Sequence, residues 1–293
     1  MQISYVIPMF NAEATILETV QSILNGNFFH GDELIIVNDG SEDKSLSLAH
    51  ELQEKYPKKI KVIDLGLNKG NETARNEGVK SAQNEYIFNL DADNILLPNS
   101  ITKLKTYLVE NDLDAAAFKH LYYFKKSTSK ITHIWSFCNE LVNLEDCLCG
   151  GVVPISSGNY LFKKSVWNSI GGYKVGAKAL DAWFFGFETV ALGYKLGVMP
   201  SGGYFHRYGR SSLWMRDAKK NIISDNARKL VLMHKSLLTP DDINYLQDSK
   251  LSKQWFENMD KRPIRTANKK IGKNGNIFKK RFFKFFKLEN FEK

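Results

Sequence analysis

Hydrophobic and polar positions in the first part of the chain alternate between short β-prone runs and longer stretches with helical spacing. The first run covers residues 2–7, and Pro8 ends it. Residues 12–24 then carry apolar side chains at helical spacing, whereas residues 33–37 and 61–65 are again short apolar runs. Strands that alternate with helices predict an α/β domain with a mostly parallel central sheet, right-handed crossovers and helices on both faces.

The stretch from 67 to 98 contains the most informative polar residues. A glycine-containing loop and a polar helix lead to an apolar strand, and Asp91 and Asp93 follow it directly. Asp39 likewise follows the second strand. Because ligands of such sheets bind beyond the carboxyl ends of the strands, these acids are expected to converge. Two carboxylates can share Mg²⁺ or Mn²⁺, whose remaining ligands are often substrate phosphates, so a nucleotide diphosphate is the expected ligand.

Each of these residues also has an ordinary structural explanation. An Asp-x-Asp triplet often caps or solvates a polar loop, and Asp39 with Gly40 can form a simple turn. Arg75 can pair with Glu72, three residues earlier on the same predicted helix. Their combination at one sheet edge favours a binding site.

Four ordered segments resemble the signatures of family 2 glycosyltransferases of the GT-A fold. They are VIPMFN at 6–11, IVNDGS at 36–41, NKG and ARNEG within 68–78, and LDAD at 90–93. The resemblance implies inverting transfer of a sugar from a nucleotide-diphosphate donor with Mg²⁺ or Mn²⁺. Relatives often have an aspartate where this chain has Asn38, whereas the second acid, Asp39, is retained.

The same resemblance assigns roles at the donor site. Asp39 would accept a hydrogen bond from the base, the loop after Pro8 would pack on base and ribose, and Arg75 would lie near the diphosphate or hold Asp91. The implied donor residues are Pro8, Phe10, Asn11, Asp39, Asn68, Lys69, Gly70, Arg75, Asp91, Ala92 and Asp93, with Arg207 and Arg210 as candidates to neutralise the leaving diphosphate.

An inverting displacement also needs a base that takes the proton of the acceptor hydroxyl. Asp181 is the candidate, because it is the next acid after the Gly-Gly-Tyr turn at 171–173. Relatives often have Glu-Asp here, and alignment on Gly193 places Asp181 on the Glu and Ala182 on the Asp. Glu188 is the alternative base, and Asp181 could instead cap the following helix.

His206 follows a predicted strand and is a candidate third metal ligand beside Asp91 and Asp93, since related enzymes often supply a histidine at this place. A lone histidine is more often structural. The Q-x-x-R-W signature of processive polysaccharide synthases is absent, which favours the addition of one sugar at a time.

The charge of the chain is concentrated at its end. The 293 residues carry a net charge of +9, but residues 261–293 alone contribute +10, so the rest sums to −1. This distribution, without a nucleic-acid-binding signature, argues against a nucleic-acid partner. Phenylalanines and lysines interleaved within 264–293 favour an anionic membrane surface. Alternatively, these aromatic residues cover the domain or a partner subunit.

The three cysteines, Cys138, Cys147 and Cys149, form no even framework and are typical of reduced thiols. No run of eighteen apolar residues and no signal peptide is visible. We therefore expect a cytoplasmic protein, free or bound peripherally to the inner face of the plasma membrane.

These observations predict a GT-A domain at 1–215, with a nucleotide-binding half at 1–95 and an acceptor half at 96–215, and a helical basic extension at 216–293. The predicted activity is a hexosyltransferase that moves one sugar, with UDP the favoured carrier, to a glycan or lipid-linked acceptor in bacterial surface polysaccharide or glycolipid synthesis. The alternatives are a sugar nucleotidyltransferase, whose G-x-G-x-R loop is missing, and a non-catalytic subunit that binds nucleotide sugars or membranes.

Overall fold

The computed structural model describes residues 1–136, 141–144, 159–209 and 223–247. Within these ranges the strands are β1 Ile3–Met9, β2 Glu33–Asn38, β3 Ile60–Asp64, β4 Tyr86–Asn89, β5 Ile95–Leu96, β6 Ala115–Phe124, β7 Ile131–Ser136, β8 Leu141–Val142, β9 Tyr160–Lys163 and β10 Leu196–Arg207. The helices are α1 Ile16–Leu24, α2 Ser45–Lys55, α3 Asn71–Ser81, α4 Ser100–Glu110, α5 Lys164–Ile170, α6 Asp181–Ala191, α7 Ile223–Leu232 and α8 Pro240–Gln247.

All the strands belong to one mixed sheet with the order β3-β2-β1-β4-β9-β6-β10-β5, with β7 added to β6 and β8 to β10. The first four strands pair in parallel, as predicted. The second half is mixed, because β9 lies antiparallel between β4 and β6. The short connection at 125–130 also makes β6 and β7 an antiparallel hairpin.

The centre of the sheet is covered closely by α3. Every residue of β1 is buried, which is typical of a parallel strand with elements on both faces. A Cβ on Gly78 of α3 would come within 2.3 Å of the Val6 side chain, so only glycine allows this approach. The close packing fixes α3 over β1 and places its first turn at the carboxyl ends of the parallel strands.

The start of α1 differs from the prediction, because α1 begins at Ile16 rather than at 12. α2 begins at Ser45, and Oδ1 of Asp43 accepts the Ser45 amide proton at 2.9 Å. Oγ of Ser41 accepts the amide proton of Asn11 at 3.0 Å. The segment at 41–44 therefore leads into α2 and also joins the loop after β2 to the loop after β1.

After the sheet, α7 packs on the domain through Ile223, Ala227 and Val231, all of which are buried. The predicted boundary at 215 and the basic stretch 264–293 lie outside the described residues. In the ranges that are described, none of the helices has both the length and the apolar character needed to cross a membrane.

Candidate active site

The buried guanidinium of Arg75 joins two of the predicted carboxylates. Its Nη2 lies 2.6 Å from Oδ1 of Asp91, and its Nη1 donates to Oδ2 of Asp181. The ring of Tyr173 lies 5.5 Å from the guanidinium carbon. Burial lowers the pKa of Arg75, but the negative charges of Asp181 and Asp91 have the larger effect. The pKa of Arg75 is therefore raised. Acids from the two predicted halves of the domain thus meet on one cation, instead of Arg75 pairing with Glu72.

Asp181 stands at the start of α6 and is 4% exposed. Its Oδ2 also accepts from Nδ2 of Asn71 at 3.0 Å, and its Oδ1 accepts the amide proton of Ala182 at 2.7 Å. Burial raises the pKa of Asp181, and the charge of Arg75 opposes this effect. The predicted base therefore reaches the site, and it also bonds the first turn of its helix, as the structural alternative expected.

Asp91 is held at both carboxylate oxygens. Besides Arg75, Nδ2 of Asn159 donates to its Oδ2 at 3.0 Å, and Oδ1 of Asn159 accepts the Asp91 amide proton at 2.8 Å. Asn94 adds a longer bond to Oδ2 at 3.3 Å. The first aspartate of the motif is thereby fixed in position by side chains from three segments.

Asp93 has the electrostatic character of a cation ligand. Burial and the negative charge of Asp91 raise its pKa to about 7, while Arg207 opposes this rise. Two carboxylates that repel each other in a partly buried place, with oxygen as the ligand atom, fit Mg²⁺ or Mn²⁺. The donor set present therefore agrees with the predicted cation.

His206 is not brought into one ligand set with both aspartates. Within the described part of the chain, no three His, Cys, Asp or Glu residues cluster closely enough to hold a metal ion. The imidazole of His206 packs on the rings of Tyr123 and Tyr204, with centroid distances of 4.7 and 6.1 Å. Its role as a third ligand stays a prediction.

Arg207 is engaged by the protein itself. Its Nε donates to the carbonyl oxygen of Asp93 at 3.1 Å, its Nη2 lies 2.5 Å from Oε2 of Glu18, and its guanidinium carbon lies 4.5 Å from the centre of the Phe124 ring. These contacts brace the segment after β4. Arg210, the other predicted diphosphate partner, lies outside the described residues.

Asp39 organises the loop that leads into α3. Its carboxylate, 2% exposed, accepts the amide protons of Lys69 at 2.7 Å and Gly70 at 3.1 Å. Burial raises the pKa of Asp39, and these two amides oppose the rise. A Cβ on Gly40, which has a φ of +68°, would lie 2.4 Å from the Leu67 backbone, so glycine is required there.

A cavity of about 370 Å³ opens beside this loop, a volume within the range of small-molecule sites. Phe10 and Leu67 line it and are 41% and 61% exposed. Nδ2 of Asn38 donates to Oδ1 of Asp64 at 2.8 Å at the cavity wall. An aspartate at 38 could not donate this bond. The other lining residues are Gly40, Ser41, Glu42, Leu46, Gly66 and Asn68.

Pro8 and Asn11 lie at the same edge. Pro8 belongs to the buried end of β1, and Oδ1 of Asn11 accepts the amide proton of Glu42 at 2.8 Å. Asn11 therefore holds one of the residues that line the cavity, Glu42.

Glu188, the alternative base, takes part in a helix contact. Its Oε1 lies 3.0 Å from Nε2 of His234, near the end of α7. Burial raises the pKa of Glu188, and the hydrogen bond to His234 opposes the rise. Seven residues separate Glu188 from Asp181, about two turns along α6. Glu188 therefore contacts the segment that follows α7, and its role as the alternative base stays a prediction.

Sequence reasoning missed the asparagine and threonine residues that hold the acids. Asn71 and Asn159 bond Asp181 and Asp91, and Thr15 and Thr19 bond the backbone at Ala92. Asparagine and threonine are common in loops and helix ends, so nothing in one sequence separates these four residues from ordinary turn and capping residues.

The deciding comparison covers most of the sheet. A family model described as "Glycosyl transferase family 2" matches residues 4–180, more than half of the chain. The chain belongs to glycosyltransferase family 2. The poly-beta-1,6-N-acetyl-D-glucosamine synthase of Staphylococcus epidermidis is 29% identical to this family 2 chain over 172 residues, which are 58% of the chain and 41% of the relative. The chain spans less than half the length of the first curated relatives that it matches.

Solved structures confirm the predicted GT-A fold of this family 2 member. S. aureus TarS in complex with UDP-GlcNAc has a TM-score of 0.66 at 17% identity, covering 87% of this chain and 72% of TarS. The mannosyltransferase PcManGT of Pyrobaculum calidifontis, in complex with GDP-Man and Mn²⁺, has a TM-score of 0.63 at 14% identity, covering 88% and 72%.

Proposed function

We propose that the chain is a metal-dependent inverting glycosyltransferase. It moves one hexosyl unit from a nucleotide-diphosphate sugar, with UDP the first candidate, to an acceptor hydroxyl. The observation that carries the proposal is the contact of Arg75 with both Asp91 and Asp181, which brings a donor-side and an acceptor-side acid to one sheet edge. Membership of the family favours sugar transfer over the sugar nucleotidyltransferase alternative.

The cavity beside Asn38 accepts the nucleoside. The exposed apolar side chains of Phe10 and Leu67 offer contact area to the faces of a base. Asp39 fixes the backbone of Lys69 and Gly70, and each carboxylate oxygen can accept more than one hydrogen bond. Asp39 therefore keeps the capacity to accept an N–H of the base, and the start of α3 favours a neighbouring phosphate.

Asp91 and Asp93 are the residues that would hold Mn²⁺ or Mg²⁺. When bound, the cation supplies positive charge that stabilises the departing diphosphate. The two similar structures are complexes with UDP-GlcNAc and with GDP-Man and Mn²⁺, which supports a nucleotide-sugar donor here. His206 is proposed as a third ligand only if its ring leaves Tyr123.

Asp181 takes the proton of the acceptor hydroxyl while the hydroxyl oxygen bonds to the anomeric carbon and the bond to the diphosphate breaks. Burial makes the Asp181 carboxylate more basic, and Arg75 keeps it ionised and aimed at the site. Nδ2 of Asn71 donates to the same oxygen of Asp181 that Arg75 contacts, Oδ2. The acceptor must therefore approach the side of the carboxylate that Arg75 and Asn71 leave open.

The proposed acceptor is a glycan or lipid-linked precursor of a bacterial surface polymer. The name of the S. epidermidis relative, a polysaccharide synthase, supports this class. Residues 264–293 would keep the protein at an anionic membrane on the cytoplasmic side. Deletion of 264–293 is then expected to abolish sedimentation with anionic vesicles and to spare donor binding. Loss of folding would instead support packing of this segment on the domain.

The donor site is tested by thermal shift with UDP, GDP, CDP and dTDP, each with and without Mn²⁺. A ligand at a hundred times its dissociation constant stabilises a fold by about 2.7 kcal/mol, which is readily measured. One nucleotide should raise the midpoint only with Mn²⁺, and Asp91→Asn/Asp93→Asn should abolish the shift. No shift with any nucleotide contradicts the donor site. Binding without turnover, unchanged by Asp181→Asn, would favour a non-catalytic subunit.

A further inference from the structure

Helix α1 presents polar side chains to the backbone that follows β4. Thr15, just before α1, and Thr19 and Ser22 within it are spaced by four and three residues, which places them on one helix face. Their hydroxyls bond main-chain atoms of the segment from Ala92 to Leu96. Apolar side chains would bury the same surface without these directional bonds, so the polar stripe fixes the position of the segment.

Two of these hydroxyls act on a single carbonyl group. Oγ1 of Thr15 donates to the carbonyl oxygen of Ala92 at 2.9 Å, and Oγ1 of Thr19 donates to the same oxygen at 3.0 Å. A carbonyl oxygen has two lone pairs, so both are used. Ala92 lies between the two aspartates, and its carbonyl belongs to the peptide that carries Asp93. The two hydroxyls thereby restrain the peptide group that joins Ala92 to Asp93.

The same helix holds the next carbonyl through an ion pair. Glu18 lies between the two threonines in the sequence, and its Oε2 is 2.5 Å from Nη2 of Arg207. Nε of Arg207 donates to the carbonyl oxygen of Asp93 at 3.1 Å, and its amide donates to Oδ1 of Asn94 at 3.0 Å. Consecutive carbonyls at 92 and 93 are therefore both held from α1, one directly and one through Arg207.

We propose that Thr15 and Thr19 are positioning residues for cation binding. They hold the backbone at Ala92 so that the Asp91 and Asp93 carboxylates keep one relative placement before a cation arrives. Without this restraint, two carboxylates of like charge lower their energy by moving apart. The inference rests on the proposed function, because it requires that the two aspartates bind a divalent cation.

The test compares variants that remove or keep the hydroxyls. Thr15→Val/Thr19→Val preserves shape but removes both donors, whereas Thr15→Ser/Thr19→Ser keeps them. Mn²⁺ affinity is measured on the full chain from the loss of the free Mn²⁺ paramagnetic resonance signal, with and without UDP. Groups that orient metal ligands typically contribute ten- to a hundredfold in affinity, so the valine variant should bind Mn²⁺ about tenfold more weakly or worse, and the serine variant within about twofold of wild type.

A matched control lies on the same helix face. Ser22→Ala removes the hydroxyl that accepts the Leu96 amide proton at 3.1 Å, outside the segment of the two aspartates. It should lower the melting temperature and leave Mn²⁺ affinity unchanged. If it weakens Mn²⁺ binding as much as the valine variant does, general destabilisation explains the effect and the inference is wrong.

The remaining outcomes separate this inference from the proposed function. Equal Mn²⁺ affinity in wild type and the valine variant overturns the positioning role alone. No Mn²⁺ binding by wild type overturns the cation site, and the positioning role with it. If the double valine variant does not fold, the partly exposed Thr15 allows the same comparison with Thr15→Val and Thr15→Ser.

Discussion

Replacing Arg75 by methionine should strongly destabilise the fold, because it leaves two carboxylates without their shared cation. The side chains of Arg75 and Asp181 are 3% and 6% exposed, so the charge left on Asp181 would be buried. Removing one partner of a buried ion pair costs about 3–5 kcal/mol. The side chain of Asp91 is 27% exposed, so water screens its charge and its loss of Arg75 adds less to the destabilisation. The loss is a large part of the 5–15 kcal/mol by which a domain is typically stable.

The loss of folding stability in Arg75→Met should be larger at high pH than at low pH. The pKa of Asp181 is already raised in the folded protein, so its ionisation costs stability above its unfolded pKa, and protonation restores stability as the pH falls. Without Arg75 this pKa rises further, so the difference from wild type should be largest near pH 8 and smaller near pH 5. Urea denaturation at several pH values measures it.

A double-mutant cycle and a surface control complete the experiment. Asp181→Asn in the Arg75→Met background removes the unpaired charge and should recover about 1–3 kcal/mol. Lys195→Met, which breaks a 2.7 Å ion pair with the exposed Asp112, should leave the midpoint almost unchanged. A loss below about 1 kcal/mol at pH 7 for Arg75→Met, with no recovery in the double variant, refutes the buried bridge.

Two further predictions concern titratable pairs. Because the pKa of Asp93 is raised to about 7 and a protonated carboxyl is a poor cation ligand, the apparent Mn²⁺ affinity should fall as the pH drops from 8 to 6; a flat profile in calorimetric titrations contradicts this. His234→Ala leaves Glu188 partly buried without its imidazole partner, so stability to urea should fall by about 1–3 kcal/mol with donor affinity unchanged. Unchanged stability together with a loss of sugar transfer would instead favour Glu188 as the base.

The part of the site that follows from the order of strands and turns could be predicted from the sequence. β1 and β2 are short apolar runs, and residues directly after parallel strands must meet at one sheet edge, so Asp39 and Asp91 could be placed without coordinates. The side-chain period and the turn residues carry this information locally.

The other contacts of the site could not be predicted, because they join residues far apart in the sequence and no local pattern encodes them. Asp181 reaches Arg75 across 106 positions, and Asn159 reaches Asp91 across 68. The antiparallel insertion of β9 makes the second of these contacts possible, because it places the residue before Tyr160 beside the end of β4. Apolar runs predict a strand but not its neighbours, which are chosen by packing of the whole sheet.

Proton NMR of the sugar released from an α-linked nucleotide sugar in the presence of Mn²⁺ tests both inversion and the role of Asp181 as the base. The nucleotide is the one that stabilises the protein, and water serves as acceptor. We expect the β anomer to appear first, and Asp181→Asn to slow its release by about 10²–10⁴-fold while the nucleotide still binds. First appearance of the α anomer, or an unchanged rate in Asp181→Asn, would contradict the inverting mechanism with Asp181 as its base.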